Sequence, residues 1–99
     1  MEIKRLLVSQ RKLRNVLQIE EMIVEIENGG CLPRIEIWRD SFGVCQVSDG
    51  HHRLVAYWLS GRRVLEHSEY LLIESDSVRA RFGGVACLIL RCMQTSESF

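Results

Sequence analysis

What this chain lacks narrows its class before any motif is read. It has no net charge: 13 basic residues offset 13 acidic ones. A protein that holds DNA without reading its sequence usually carries a large basic excess, because neutralising phosphates drives its affinity. Nucleic-acid binding would here rest on two local clusters, Lys4-Arg5 with Arg11-Lys12-Arg14, and Arg53 with Arg62-Arg63. Set against Glu20, Glu21, Glu25 and Glu27, these read first as solvated faces. Long apolar runs are also missing; the longest, residues 85–90, is far below the ~20 residues a membrane span needs. The basic start, Met1-Glu2-Ile3-Lys4-Arg5, is followed by no signal-peptide h-region. The expectations are a cytoplasmic location and no membrane partner.

The four cysteines, Cys31, Cys45, Cys87 and Cys92, include no CxxC pair, and no Cys/His spacing matches a zinc module. Without a secretion signal, disulfides are not expected either. Small buried hydrophobes with no metal is the simplest reading of these thiols. What is present is ordinary globular composition, 46% hydrophobic and 26% charged, which excludes disorder as a description of the whole chain. Ninety-nine residues make one small domain, 1–99, with one modest core.

The pattern along the chain is that of an α+β domain, a mixed sheet flanked by short helices. Residues 3–8 read as a first strand. Ser9 is placed to cap a helical segment through Leu13, Val16 and Leu17, a stretch without a decisive period. Ile19, Met22, Ile23 and Ile26 then fall at i, i+3, i+4 and i+7, one face of a helix. Asn28-Gly29-Gly30 ends it. Leu32-Pro33 opens a strand through Ile35 and Ile37, Asp40-Ser41-Phe42-Gly43 is a tight turn, and residues 44–49 return as the second strand of a hairpin. A helix begins at once after Asp49-Gly50, carries Leu54, Val55, Trp58 and Leu59 on one face, and ends at Gly61. Tyr70-Leu71-Leu72-Ile73 is a strand or a buried helix, and residues 74–77 a turn or helix start. Residues 85–92 read as a final central strand, with Cys87 and Cys92 on opposite faces. The tail, residues 94–99, is polar and expected to be disordered.

The chemistry concentrates at Asp49-Gly50-His51-His52-Arg53, where a strand hands over to a helix. The first N–H groups of a helix have no internal partner, and the helix dipole adds about half a positive charge there. Such an end is an anion site. Gly50 would let a ligand approach the backbone, Arg53 would offer a bidentate fork, and His51 and His52 would donate further hydrogen bonds. The helix also places potential cations against its own positive end, a cost of a few tenths of a kcal/mol each. A bound anion would remove that cost. The competing account has Asp49 cap the helix and the histidines simply pack.

Residues 47–61, Val-Ser-Asp-Gly-His-His-Arg-Leu-Val-Ala-Tyr-Trp-Leu-Ser-Gly, resemble the phosphate-binding segment of the ParB/sulfiredoxin superfamily. The approach to it agrees: a helix ending in Asn28-Gly29-Gly30, then Leu32-Pro33-Arg34-Ile35-Glu36-Ile37, is similar to the run into that motif in ParB N-terminal domains. The resemblance covers about residues 3–64. It implies a ParB/sulfiredoxin-like fold and a nucleotide or other phosphate-bearing ligand held by Gly50, His51, His52 and Arg53, with ATP, ADP or CTP and Mg²⁺ as the cofactors to test.

Three branches imply different activities. ParB partition proteins bind CTP and DNA and carry Gly-Glu-Arg-Arg; Gly50 and Arg53 match, while His51 and His52 replace the middle residues. Their separate helix-turn-helix domain does not fit in this chain, so DNA binding alone is not expected. Sulfiredoxins carry Gly-Cys-His-Arg, and His51 stands where their cysteine would be. Free-serine kinases carry an Asp-Gly-His-x-Arg form, matched by Asp49, Gly50, His51 and Arg53. By that resemblance a phosphotransferase would use Asp49 on Mg²⁺ and His51 as base or clamp, with Glu20 or Glu21 as the upstream carboxylate. A non-catalytic DNA- or protein-binding adaptor is the third reading. Tyr57, one turn after Arg53, is a further candidate to face the site, whereas Trp58 belongs to the core face. The oligomeric state stays open.

Overall fold

The apolar periods of the sequence resolve, in a computed structural model, into three helices and a four-stranded mixed sheet among the described residues. The structure describes residues 1–77 and 80–97, and the side chains of all of these except 93–97. A 3-10 turn, Ile3–Arg5, precedes β1, Leu7–Val8. Then come α1, Leu17–Glu27, the hairpin β2, Ile35–Arg39, and β3, Cys45–Asp49, and α2, His51–Leu59. A second 3-10 turn, His67–Glu69, leads into β4, Tyr70–Glu74, and α3, Val85–Glu97, closes the order.

The sheet runs β1-β3-β2-β4. β2 and β3 are antiparallel, while β1 on β3 and β4 on β2 are parallel. The register sets Val8, Val47, Ile37 and Leu72 in one row across all four strands. The first three of these are fully buried, and they share one core with Ile19, Leu54, Val55, Val85 and Leu88 from the helices. Each such side chain contributes about 1.5–3 kcal/mol relative to exposure.

Local chemistry explains the ends. α1 stops because Gly29 takes φ +77°, a conformation with no Cβ clash only for glycine. Its expected face holds, with Ile19 buried and Met22, Ile23 and Ile26 packed against the core. In the hairpin turn Asp40 Oδ1 accepts the N–H groups of Phe42 at 2.9 Å and Val44 at 3.0 Å. That is the local competition by which Asp favours turns.

Several expectations change. The first strand is not residues 3–8: Leu6 N–H donates to Ile3 O at 3.1 Å, and Ile3 and Leu6 are both fully buried. A spacing of three suits a turn and not the period of two that a half-buried strand needs. No helix runs from Ser9, since α1 begins only at Leu17. Residues 85–92 are not a strand but most of α3. Val85, Leu88, Ile89 and Cys92 lie toward the core at i, i+3, i+4 and i+7, leaving Ala86, Cys87 and Leu90 exposed. A continuous apolar run carries no visible period, so length and neighbours must decide. Here the place beside β1 is already taken: Val8 N–H donates to Gly83 O at 2.8 Å and Phe82 N–H to Val8 O at 3.0 Å. Cys87 and Cys92 therefore point roughly 140° apart around a helix. None of the cysteines is fully buried, Cys31 and Cys87 being exposed. The last turn of α3 covers Gln94 to Glu97, expected as tail; Ser98 and Phe99 lie outside the described residues. Among the described residues no helix is long and apolar enough to cross a membrane.

Candidate functional site

One residue separates β3 from α2. Gly50 makes the turn at φ +101° and stands as the N-cap of α2. A Cβ at this position would lie 3.2 Å from both Arg53 Cζ and Ile35 Cγ1. The space that glycine leaves is therefore filled by the protein's own side chains, and not kept open for a ligand over the Cα as the sequence suggested. No acidic residue sits in the first turn of α2, and no side-chain cap bond is made at its start. Asp49 does not cap the helix; its carboxylate, with the side chain 75% exposed, lies 3.2 Å from Arg53 Nη2.

The two histidines face inward. His51 is only 1% exposed, and its Nε2 accepts the Ser9 N–H at 2.9 Å. Ser9 Oγ in turn donates to Val47 O at 2.7 Å. Accepting at Nε2 assigns the ring proton to Nδ1. His52 is half-buried, and its Nε2 accepts the Asn15 N–H at 3.1 Å. Burial, and then the positive charge of Arg53, hold His52 below the usual histidine pKa, which keeps that nitrogen an acceptor. Both rings thus serve as acceptors for one loop rather than as donors to a ligand.

Arg53 completes the junction. Its side chain is 15% exposed, and Nη1 donates to Arg34 O at 2.6 Å while Nη2 meets Asp49. Five donors in a planar fork leave capacity beyond these two bonds, but the fork is already oriented by its own chain. Asp49, Gly50, His51, His52 and Arg53 are brought together as expected, yet mostly as fasteners of the segments around them.

What the sequence reading passed over is the loop they fasten. Residues 9–16 cross the start of α2, held at Ser9 by His51 and at Asn15 by His52. The loop carries Arg11, Lys12 and Arg14, all exposed. α3 secures it too, through Arg91 Nε donating to Arg11 O at 2.7 Å. The available signal was the polar frame, Ser9 and Asn15, around a basic run.

The second basic cluster divides. Arg53 sits at one end of α2; Arg62 and Arg63 follow the other. Arg62 Nη1 meets Glu69 Oε2 at 3.1 Å, and its guanidinium lies 5.3 Å from the Tyr57 ring centre. Arg63 lies 3.8 Å from the ring centre of Trp58, which is half-buried and packed against the core. Tyr57 is 4% exposed, so it does not face the junction, and burial pushes its hydroxyl pKa up. Glu20 and Glu21 are exposed on α1, and no hydrogen bond or ion pair joins them to the junction among the described residues.

Beside the loop, Leu13, Val16, Ile19, Val55, Leu59 and Ile89 line an apolar cavity of about 160 Å³. Ligand pockets usually span about 300–1,000 Å³ and include a few placed polar groups, so this one does not suit a nucleoside. Among the described residues no three His, Cys, Asp or Glu side chains gather as a metal cage. A Mg²⁺ carried on nucleotide phosphates needs only one or two protein carboxylates, of which Asp49 is the one at the junction. Compared with known proteins, the chain matches no family model, no curated protein and no solved structure.

Proposed function

We propose that this is a ParB/sulfiredoxin-like domain that binds a nucleotide or another phosphate-bearing ligand at the start of α2, under the loop 9–16. One observation carries the reading: both motif histidines accept amides of that loop. They bring the backbone that bears Arg11, Lys12 and Arg14 to a helix start with no acidic residue in its first turn. A helix N-terminus attracts anions through its dipole and its unpaired amides, and nearby cations raise the local phosphate concentration. In this reading Gly50, His51, His52 and Arg53 shape the site. The amides of the first turn and the loop cations meet the ligand, with whatever capacity the Arg53 fork retains.

The test is isothermal titration with ATP, ADP and CTP, with and without Mg²⁺, on the native chain and an Arg11→Ala/Lys12→Ala/Arg14→Ala variant. Exposed side chains are removed, so the fold should persist. The expected result is binding of at least one nucleotide, weakened about tenfold or more in the variant, about 1.4 kcal/mol or more. No heat from any nucleotide at millimolar ligand overturns the reading and favours the protein-binding adaptor. Product formation with a bound nucleotide would extend it to phosphotransfer, with Asp49 as the metal ligand.

A further inference from the structure

The two edges of the sheet are treated differently. At the β1 edge the strand is two residues long, and both polar backbone groups of Val8 are taken by Phe82 and Gly83 of the same chain. At the β4 edge, no backbone hydrogen bond is made on the side away from β2 among the described residues. β4 pairs with β2 along all five residues, Ile35↔Tyr70 to Arg39↔Glu74, without a register shift. It carries few of the usual guards of an open edge: Tyr70-Leu71-Leu72-Ile73-Glu74 has no proline, lysine, glycine or bulge, and its one charge, Glu74, stands at the end of the strand. Leu71 is 47% exposed on it.

We propose that β4 is a homodimer interface, pairing antiparallel with β4 of a second copy so that two sheets join into one. The sequence of the strand is self-complementary about Leu72, as a two-fold interface requires. With Leu72 opposite its own copy, Leu71 faces Ile73 of the second copy on one side of the sheet, twice. On the other side Tyr70 faces Glu74 of the second copy, a hydroxyl against a carboxylate. No like charges meet. The two Glu74 side chains end about 13 Å apart along the ladder, beyond the Debye length of about 8 Å at physiological salt. Each also keeps its own partner, Arg39. A five-residue ladder buries little, so the dimer belongs to the weak, transient class. This inference is independent of the phosphate site.

Sedimentation equilibrium of the full chain over a dilution series from about 1 mM to about 1 µM tests it, beside hydrogen exchange of the β4 amides. The expected mean mass rises from the 11.5 kDa of one chain at the low end toward twice that value at the high end. Protection of the amides of residues 70–74 should rise with concentration while that of β1 does not. Leu71→Lys, at an exposed position, should weaken association about tenfold or more by adding an edge charge. A mass of one chain at every concentration overturns the proposal. So does a dimer whose β4 amides exchange independently of concentration, because that dimer uses another surface. The native exchange experiment decides even if the variant folds poorly.

Discussion

The two ends of α2 use the same kinds of side chain in opposite ways. At its start, His51, His52 and Arg53 reach backbone groups of two distant segments, at Ser9 and Asn15 of the loop 9–16 and at Arg34. At its far end, Arg62 and Arg63 meet a carboxylate seven positions on and an indole five positions back. The first end is a hub of long-range tethers and the second a local clasp. Loss of the Ser9–His51 tether leaves a buried acceptor unpaired, which costs about 1–3 kcal/mol, whereas the Asn15 and Arg34 tethers lie at the surface and cost less. Loss of a partly exposed ion pair costs well under that after solvent screening. Polar groups that look alike in sequence therefore differ several-fold in what they hold.

The sharpest way to break this contrast is at Gly50. Gly50→Ala forces a left-handed backbone on a residue with a Cβ, placed 3.2 Å from Arg53 and Ile35. The expected loss is about 3 kcal/mol in a urea melt, with reduced exchange protection at residues 9–15. Glu69→Gln, at the other end, is the control. It keeps the shape of the 3-10 turn but weakens the Arg62 pair, for about 0.5 kcal/mol. Equal losses from the two would erase the distinction between hub and clasp.

His51→Ala ranks next. It strands the Ser9 N–H and opens a cavity beneath the junction, for about 2 kcal/mol, and frees one end of the loop 9–16. If the loop is the ligand's lid, nucleotide affinity falls with it. Unchanged affinity in a destabilised variant would separate the tether from the site.

The smallest effect is a pH slope. The folded state holds the His52 pKa below its ordinary value of about 6.5. The unfolded chain therefore binds the extra proton first, and stability falls as pH drops from about 6.5 toward the folded value. His52→Ala should flatten that part of the stability curve, while its remaining pH dependence, at more acid values, comes from carboxylates. Asp40 is held below the ordinary carboxylate range chiefly by the Val44 N–H, and Glu69 is lowered by Arg62 and the Glu66 N–H against its own burial. Both contribute stability that is lost only as pH falls through their own lowered values. An unchanged slope near pH 6 in the variant would assign that titration elsewhere.

The hairpin, α1, α2 and their glycine ends were legible because local chemistry decides them. Asp40 and Gly43 make a turn with their own neighbours, and Ile19, Met22, Ile23 and Ile26 display a helical period on an otherwise acidic segment. The gathering of residues 49–53 at one strand-to-helix junction was equally local. α3 was not legible, since Val85 to Leu90 is apolar at every position and hides its period. Its state was decided when Phe82 and Gly83 occupied the edge of β1.

The candidate site divides along the same line. That a strand meets a helix at Gly50, with two histidines and an arginine in the first turn, is a property of the sequence by itself. Which way those side chains turn is a property of the tertiary structure. Ser9 lies 42 positions from His51 and Asn15 lies 37 from His52. Only closure of β1 onto β3 and the run of the loop into α1 bring those amides within reach. Burial then leaves the His51 ring to accept its amide, because an unpaired polar group in the core costs more than the contact with solvent or ligand that it replaces.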